Sequence, residues 1–278
     1  APAKTGAQFW RAVYLEEVFQ MKKVLNLTAQ DLSPSDFYEV VLQRRPVRLS
    51  PQAVKKMNAS RAVVSGILSK NQVVYGVNTG FGKLANERIS ADEIEQLQLN
   101  LLRSHACGFG PPLSEQEVRG MLLLRAQVLA KGHSGVRPLI VERLTQILNQ
   151  GLYPRIPSRG SVGACGDLIP LAHLALLLVG EGETFWQGTL LSGKVAMERA
   201  GIAPIRLEAK EGISLVNGTQ AALALGLLAL HTAERLAGTA DLAGAMTLEA
   251  LMGTPTAFDE RLQKLRPHRG QVHVAERM

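Results

Sequence analysis

Apolar residues recur along most of the chain with the three-and-four spacing of amphipathic helices, and the residues between the runs are those of helix ends. Ser33-Pro34 and Ser50-Pro51 each set an N-cap hydroxyl before a proline at the first helical position, where its missing N–H does no harm. Ser90 with Glu93, and Ser114 with Glu117, have the spacing of capping boxes. The second opens a run (Val118, Met121, Leu122, Leu124, Arg125, Val128, Leu129) that stops at Gly132. Pro138 to Asn149 predicts another helix, closed by Gly151, and Ala and Leu carry two long ones over Gln220–Ala237 and Ala240–Met252. From Leu168 to Val179 almost every residue is apolar, with Asp167 as N-cap, Pro170 in the first turn and Gly180 at the end. That helix should be buried all round, and it is too short to span a bilayer, which takes roughly 20 apolar residues. Short runs at Val47–Leu49, Val73–Val77 and Ile205–Leu207 predict strands, with no βαβ alternation, internal repeat or low-complexity linker. The class is mainly α.

Composition narrows the picture. The 278 residues are 46 % apolar, enough for a sizeable core, while aromatics at 5 % favour helices over a β-sandwich. A formal net charge of +7 raises nucleic acid as a partner. The Lys and Arg residues are scattered, however, with only a loose cluster at Arg261, Lys264, Arg266 and Arg269 and no interleaved aromatics, so no nucleic-acid role is expected. Two cysteines, Cys107 and Cys165, make no disulfide framework, and nothing resembles a secretory signal; a cytoplasmic protein without a membrane role is expected. The six histidines lack metal-ligand spacing, since His268 and His273 stand five apart without a His-Glu-x-x-His context, and no metal is expected. Residues 1–20 lack an initiator Met, whereas Met21-Lys22-Lys23-Val24 reads like a natural start, so 1–20 is set apart as an extension.

The candidate chemistry gathers just before the apolar helix. Gly160, Gly163 and Gly166 punctuate a loop that holds Cys165 at the positive end of that helix. One reading is a tight loop with a small buried cysteine; another is a thiol made reactive by the helix N-terminus, although no familiar cysteine-protease signature surrounds it. Elsewhere Tyr75-Gly76-Val77-Asn78-Thr79-Gly80-Phe81-Gly82 is a glycine-rich loop without the spacing of a phosphate cradle. Ser104-His105-Ala106 places a histidine at a helix end, and Asn217-Gly218-Thr219-Gln220 reads as a turn and helix start. Each segment alone is more often structural than catalytic.

In this order, with Lys131-Gly132-His133-Ser134-Gly135-Val136-Arg137 before the glycine loop and Arg266-Pro267-His268 at the end, these segments resemble the aromatic amino acid ammonia-lyase and aminomutase family, its histidine-acting members above all. The resemblance covers roughly residues 22–271. It implies that Ala164-Cys165-Gly166 cyclises to a methylidene-imidazolone, the amide nitrogen of Gly166 attacking the carbonyl carbon of Ala164, with no external cofactor. Cys165 stands where the family has serine, so hydrogen sulfide would leave instead of water. It further implies that Tyr75 is a base for the β-proton, that Asn217 bonds near the ring and the substrate amine, and that His105 and Gly82 lie on the substrate side. A histidine at position 105 suits an imidazole or phenol ring better than a phenyl ring, because an unpaired buried polar group costs about 1–3 kcal/mol.

The implied reaction is the non-oxidative deamination of L-histidine to urocanate and ammonia in a homotetramer. The implied organisation is a globular N-terminal domain with short strands over 21–215 leading into a long-helix bundle at 216–278, truncated relative to the family. The remainder would hold an arginine for the substrate carboxylate, so this chain alone is expected to turn over little. The alternatives are a tyrosine lyase or aminomutase on the same scaffold, or an uncyclised, inactive paralogue or fragment.

Overall fold

The computed structural model describes residues 23–278 apart from Asn71, Lys83, Leu84, Asn86, Arg88, Ala91, Asp92, Ala164 and Cys165. The expected extension at 1–20 lies outside the described residues. The chain divides into two compact units, one ending at Ala224 and one running from Leu225 to Met278.

The first unit runs β1 (Leu25–Leu27), α1 (Pro34–Gln43), β2 (Val47–Leu49), α2 (Pro51–Ser69), α3 (Ile94–His105), β3 (Phe109–Pro112), α4 (Glu115–Ala130), α5 (Pro138–Gln150), β4 (Tyr153–Pro154), β5 (Pro157–Arg159), α6 (Leu168–Leu178), β6 (Glu183–Trp186), β7 (Thr189–Ser192), α7 (Gly193–Arg199), α8 (Glu211–Val216) and the start of α9 (Gln220–Ala250). The mainly α class holds. Helix α4 is the axis of the unit: Met121, Leu122, Leu123, Ala126, Leu129 and Ala130 are buried on every side of it. Leucines of this kind each contribute about 1.5–3 kcal/mol by leaving water. Gly120 on α4 lets Phe37 of α1 come close, since a Cβ there would sit 2.9 Å from Phe37 Cζ.

The local signals formed as expected at most helix ends. Ser33 and Ser50 accept from the N–H groups of Asp36 and Ala53 at 3.1 and 3.2 Å. The Ser114–Glu117 box closes in both directions, and Gly132 and Gly151 take the left-handed conformations that end α4 and α5. Ser114→Ala is expected to lower the stability of this unit by about 1 kcal/mol, read as a shift of the urea midpoint without loss of helix content.

Several expectations need correction. The Ser90–Glu93 box does not form: α3 starts at Ile94 with Glu93 as its cap residue, and the Ser90 hydroxyl donates to Glu93 Oε2 at 2.5 Å. Val73–Val77 is a turn rather than a strand. Asn78 Oδ1 accepts from Val74 N at 2.9 Å and Nδ2 donates to Gln72 O at 2.8 Å, so one side chain takes the bonds a neighbouring strand would have taken. Ile205–Leu207 has no regular secondary structure and pairs in no ladder; Ile205 N is tied to Leu178 O at 2.9 Å. Conversely, β1 and β2 pair in parallel around α1, Leu25 opposite Val47, a small βαβ unit that was not anticipated.

The two long helices expected over 220–237 and 240–252 are one continuous helix, α9, whose Gly238 does not break it. In the second unit the remainder of α9 is followed by a 3-10 turn at Pro255–Phe258, α10 (Glu260–Leu265) and α11 (Arg269–Arg277). Arg277 pairs with Asp241 at 3.1 Å, folding the last helix back onto α9. Leu230, Leu236, Leu242 and Met246 are exposed on α9. By length and hydropathy alone the stretch Glu211–Ala250 would pass for a membrane span. Glu234, Arg235 and Asp241 lie within it, and charges at a bilayer centre cost about 2.5–3.5 kcal/mol each, so the stretch fits a protein bundle better.

Candidate active site

The site is built where the ends of three mutually packed helices meet: the C-terminus of α3, the N-terminus of α6 and the C-terminus of α8. Strands β3 and β5 pair antiparallel and bring two glycines together over α6. A Cβ on Gly160 would sit 2.9 Å from Ile169 Cγ2 and 3.3 Å from the Gly108 Cα, and the chain there has φ +138°, which only glycine takes without strain. The Gly108 N–H donates to His173 Nε2 at 3.2 Å. That bond needs a neutral imidazole, and burial, aided by the Arg155 charge, holds His173 below its ordinary pKa. The short segment after His105 is thus pinned to α6.

Ala164 and Cys165 lie outside the described residues. Gly166 is buried, also at φ +138°, and the face where a side chain would stand is tightly crowded. A Cβ there would lie 2.8 Å from Gly218 N, 2.9 Å from Gly218 O and 3.2 Å from Asn217 Oδ1. The Asp167 N–H donates to Gly218 O at 2.6 Å. This closeness answers why the loop is glycine-rich: two backbone segments pass at contact distance, with the Asn217 amide against the α-carbon of Gly166.

Asp167 is the N-cap residue of α6, as expected, but its side chain caps a different helix. It makes no cap bond to α6; Oδ1 accepts from Ser161 Oγ at 2.9 Å and Oδ2 from Ala222 N at 2.8 Å. The carboxylate therefore satisfies an orphan N–H in the first turn of α9 and ties the loop before the tripeptide to the loop after α8.

Arg125, to which the sequence assigned no role beyond its place in the α4 run, reaches the same corner from α4. Its guanidinium donates to Ser214 O at 2.5 Å, to Asn217 O at 3.1 Å and to Gln220 Oε1 at 2.6 Å. It is 3 % exposed, and burial pushes it down to about 10. Gln98 of α3 is fully buried and accepts from Gly212 N at 2.8 Å, locking α8 to α3.

The other candidates lie at the end of α3, in the loop from Tyr75 to Gly82 and at the turn after α8. His105 Nδ1 lies 2.9 Å from Leu101 O, which can only accept, and 3.1 Å from Ser104 Oγ; with the hydrogen on Nδ1, Nε2 is left as an acceptor. Tyr75 is 59 % exposed and meets Phe81 edge-on, ring centroids 6.3 Å apart. The neighbouring Gly76 faces Ile213 of α8. Gly82 takes φ +59° with open space where a side chain would be. Asn217 is exposed. Among the described residues the site is an open face rather than an enclosed pocket, and a recess of about 520 Å³ beside Tyr153 and Trp186 contains none of these residues.

The Lys131–Arg137 segment is a strut behind the site. Fully buried Glu211, in the first turn of α8, accepts from Arg137 N, Nε and Nη2 at 3.1, 2.8 and 2.7 Å and from Glu208 N at 2.8 Å. These bonds hold Arg137 above its ordinary pKa. Lys210, lowered by burial, donates to Ser134 O at 2.8 Å. Arg266-Pro267-His268 lies in the second unit, between α10 and α11.

A family model for aromatic amino acid lyases matches residues 32–278. The chain is 54 % identical over 253 residues to a histidine ammonia-lyase of Koribacter versatilis, covering 91 % of this chain and 49 % of that relative. Among solved structures it is similar to histidine ammonia-lyase from Trypanosoma cruzi (TM-score 0.87, 40 % identity, 92 % of this chain and 50 % of that one). It is also similar to the phenylalanine aminomutase of Pantoea agglomerans (TM-score 0.85, 33 % identity, 91 % and 48 %). The chain spans about half the length of the curated relatives it matches. A match over nearly the whole described chain, carried by the same fold, makes this protein a member of the aromatic amino acid lyase family.

Proposed function

We propose that this chain supplies the ring-forming part of an enzyme that eliminates ammonia from L-histidine to give urocanate. The observation that carries the reading is the cradle at Gly166. The family's prosthetic group requires the Gly166 amide nitrogen to reach back to the Ala164 carbonyl, and the open α-carbon at φ +138° between Gly218 and Asn217 admits glycine alone. The residues present therefore fit a methylidene-imidazolone made from Ala164-Cys165-Gly166. When formed, that group supplies an electrophile that draws electron density from the amino acid and makes ammonia a workable leaving group.

The remaining roles belong to side chains of this chain. Asn217, exposed beside Gly166, offers an amide to the substrate amine. Tyr75 is the base for the β-proton. His105 presents a lone pair on Nε2, which accepts from the N–H of an imidazole or the O–H of a phenol and leaves a phenyl ring without a partner. Gly82 leaves open space where a side chain would stand. Histidine is chosen over tyrosine because the relatives at 45–54 % identity carry the name histidine ammonia-lyase. The open face of the site is completed by the rest of a longer protein in a cytoplasmic homotetramer.

The test is the mass of the tryptic peptide from Gly160 to Lys194, measured in this chain and in the longest natural form of the protein. Loss of one hydrogen sulfide and one water is expected, together with urocanate production from L-histidine by the longer form. An intact peptide in that form would overturn the reading.

A further inference from the structure

We propose that Arg125 is a positioning residue of this site: its buried guanidinium holds the Asn217–Gly218 corner against Gly166. The inference rests on the ring-forming function just proposed. Arg125 sits on α4, a helix buried along most of its length, and among the described residues no carboxylate pairs with it. Its Nε has no partner among the described residues. A buried cation without a counter-ion is costly, several kcal/mol after relaxation, and a neutral donor could cap α8 without that penalty. The geometry points to what the fork does that a neutral donor would not.

The fork spans three acceptors between Ser214 and Gln220: the carbonyl of Ser214 in α8, that of Asn217 just past its end, and the side chain of Gln220, the first residue of α9. Rigid, planar donors fix all three at once, which a point charge on a flexible stem would not. Gly218 packs directly on the guanidinium, where any Cβ would strike Arg125 Nη1 and Gln220 Oε1. The other side of the same glycine touches Gly166 and accepts the Asp167 N–H at 2.6 Å. The corner is therefore clamped between a cation and the ring-forming backbone. Its position sets where the Asn217 amide lies and how closely the chain crowds Gly166. Misplacement by about 1 Å in such a constellation costs roughly 100-fold in rate.

Two substitutions in the longest natural form of the protein test the assignment. Arg125→Met keeps much of the packing volume and removes the fork. Gln220→Glu keeps the fold, adds an acidic group to the first turn of α9, where it is favourable, and gives the guanidinium a counter-ion that draws it from Asn217 O. Arg125→Met is expected to lower both the cyclised fraction of the 160–194 peptide and kcat by at least about 10-fold. Gln220→Glu is expected to lower kcat about 10-fold at unchanged KM, with an unfolding midpoint equal to or above that of the parent. A purely structural arginine would tolerate that counter-ion, so parental kcat in Gln220→Glu overturns the proposal. Full cyclisation and parental kcat in Arg125→Met also overturn it. If Arg125→Met does not fold, Gln220→Glu decides alone. An uncyclised peptide in the parent protein overturns the function itself and the role of Arg125 with it, and that measurement comes first.

Discussion

On the function proposed above, Gly166→Ala in the longest natural form of the protein is expected to abolish ring formation, leaving the peptide from Gly160 to Lys194 at its unmodified mass and histidine deamination down by at least about 10³-fold, or roughly 4 kcal/mol of barrier. The amide nitrogen survives this substitution, so chemistry alone would allow closure. Geometry does not. The added methyl would sit 2.8 and 2.9 Å from backbone atoms of Gly218, and that segment cannot retreat while Asp167 N holds Gly218 O and the Arg125 fork holds Asn217 O. The φ of +138° at Gly166 is a further barrier to any L-residue with a side chain. Cys165→Ala is the chemical counterpart: it leaves the backbone free to close but has no β-substituent to expel, and it should also show no loss of hydrogen sulfide. Cys165→Ser should restore a ring by losing two waters in all. A normal mass loss in Gly166→Ala would mean that the cradle does not constrain closure.

Much of this site was legible because its signals are local. Glycines at 160 and 166 announce close backbone approach, and that is what Ile169, Gly108 and Gly218 impose. The Ser-Pro caps and the Ser114 box hold because each is satisfied within four residues. What was not legible depends on partners distant in sequence. Asp167 looked like a cap for the helix it precedes, yet its carboxylate serves Ala222, 55 residues on. The strands β3 and β5 were hidden because prolines in both demote them on local propensity, and only their pairing makes them strands. Val73–Val77 failed the other way, since its β-branched residues suggest a strand and the Asn78 side chain diverts their bonds. Arg125 did leave one trace, a lone charge among Met121, Leu122, Leu123 and Leu124 in a run that otherwise asks for burial. A charge in that place needs acceptors, and only the tertiary structure names them.

Glu211 left no trace at all, and its removal carries the largest expected effect on stability. Glu211→Ala should lower the unfolding midpoint by on the order of 10 °C, since breaking a buried ion pair costs about 3–5 kcal/mol and each kcal/mol moves a chain of this size by roughly 2–4 °C. The carboxylate is fully buried and receives four N–H groups, two of them main-chain donors of Arg137 and Glu208. Alanine leaves both main-chain donors unmet and the Arg137 guanidinium with only Glu208, at 2.7 Å, and the Arg206 carbonyl. Glu211→Gln should lose less, because it keeps the volume and one acceptor, but its NH₂ must face an N–H where the carboxylate had a lone pair. The order parent, Gln, Ala in thermal midpoint by circular dichroism checks the assignment, and an Ala midpoint within about 2 °C of the parent would refute it. The consequence reaches the site, because these bonds anchor the first turn of α8, whose other end carries Asn217. Loosening Glu211 in a variant that still folds should therefore depress cyclisation of the 160–194 peptide as well as stability, coupling a strut with no chemistry of its own to the Asn217–Gly218 corner against Gly166.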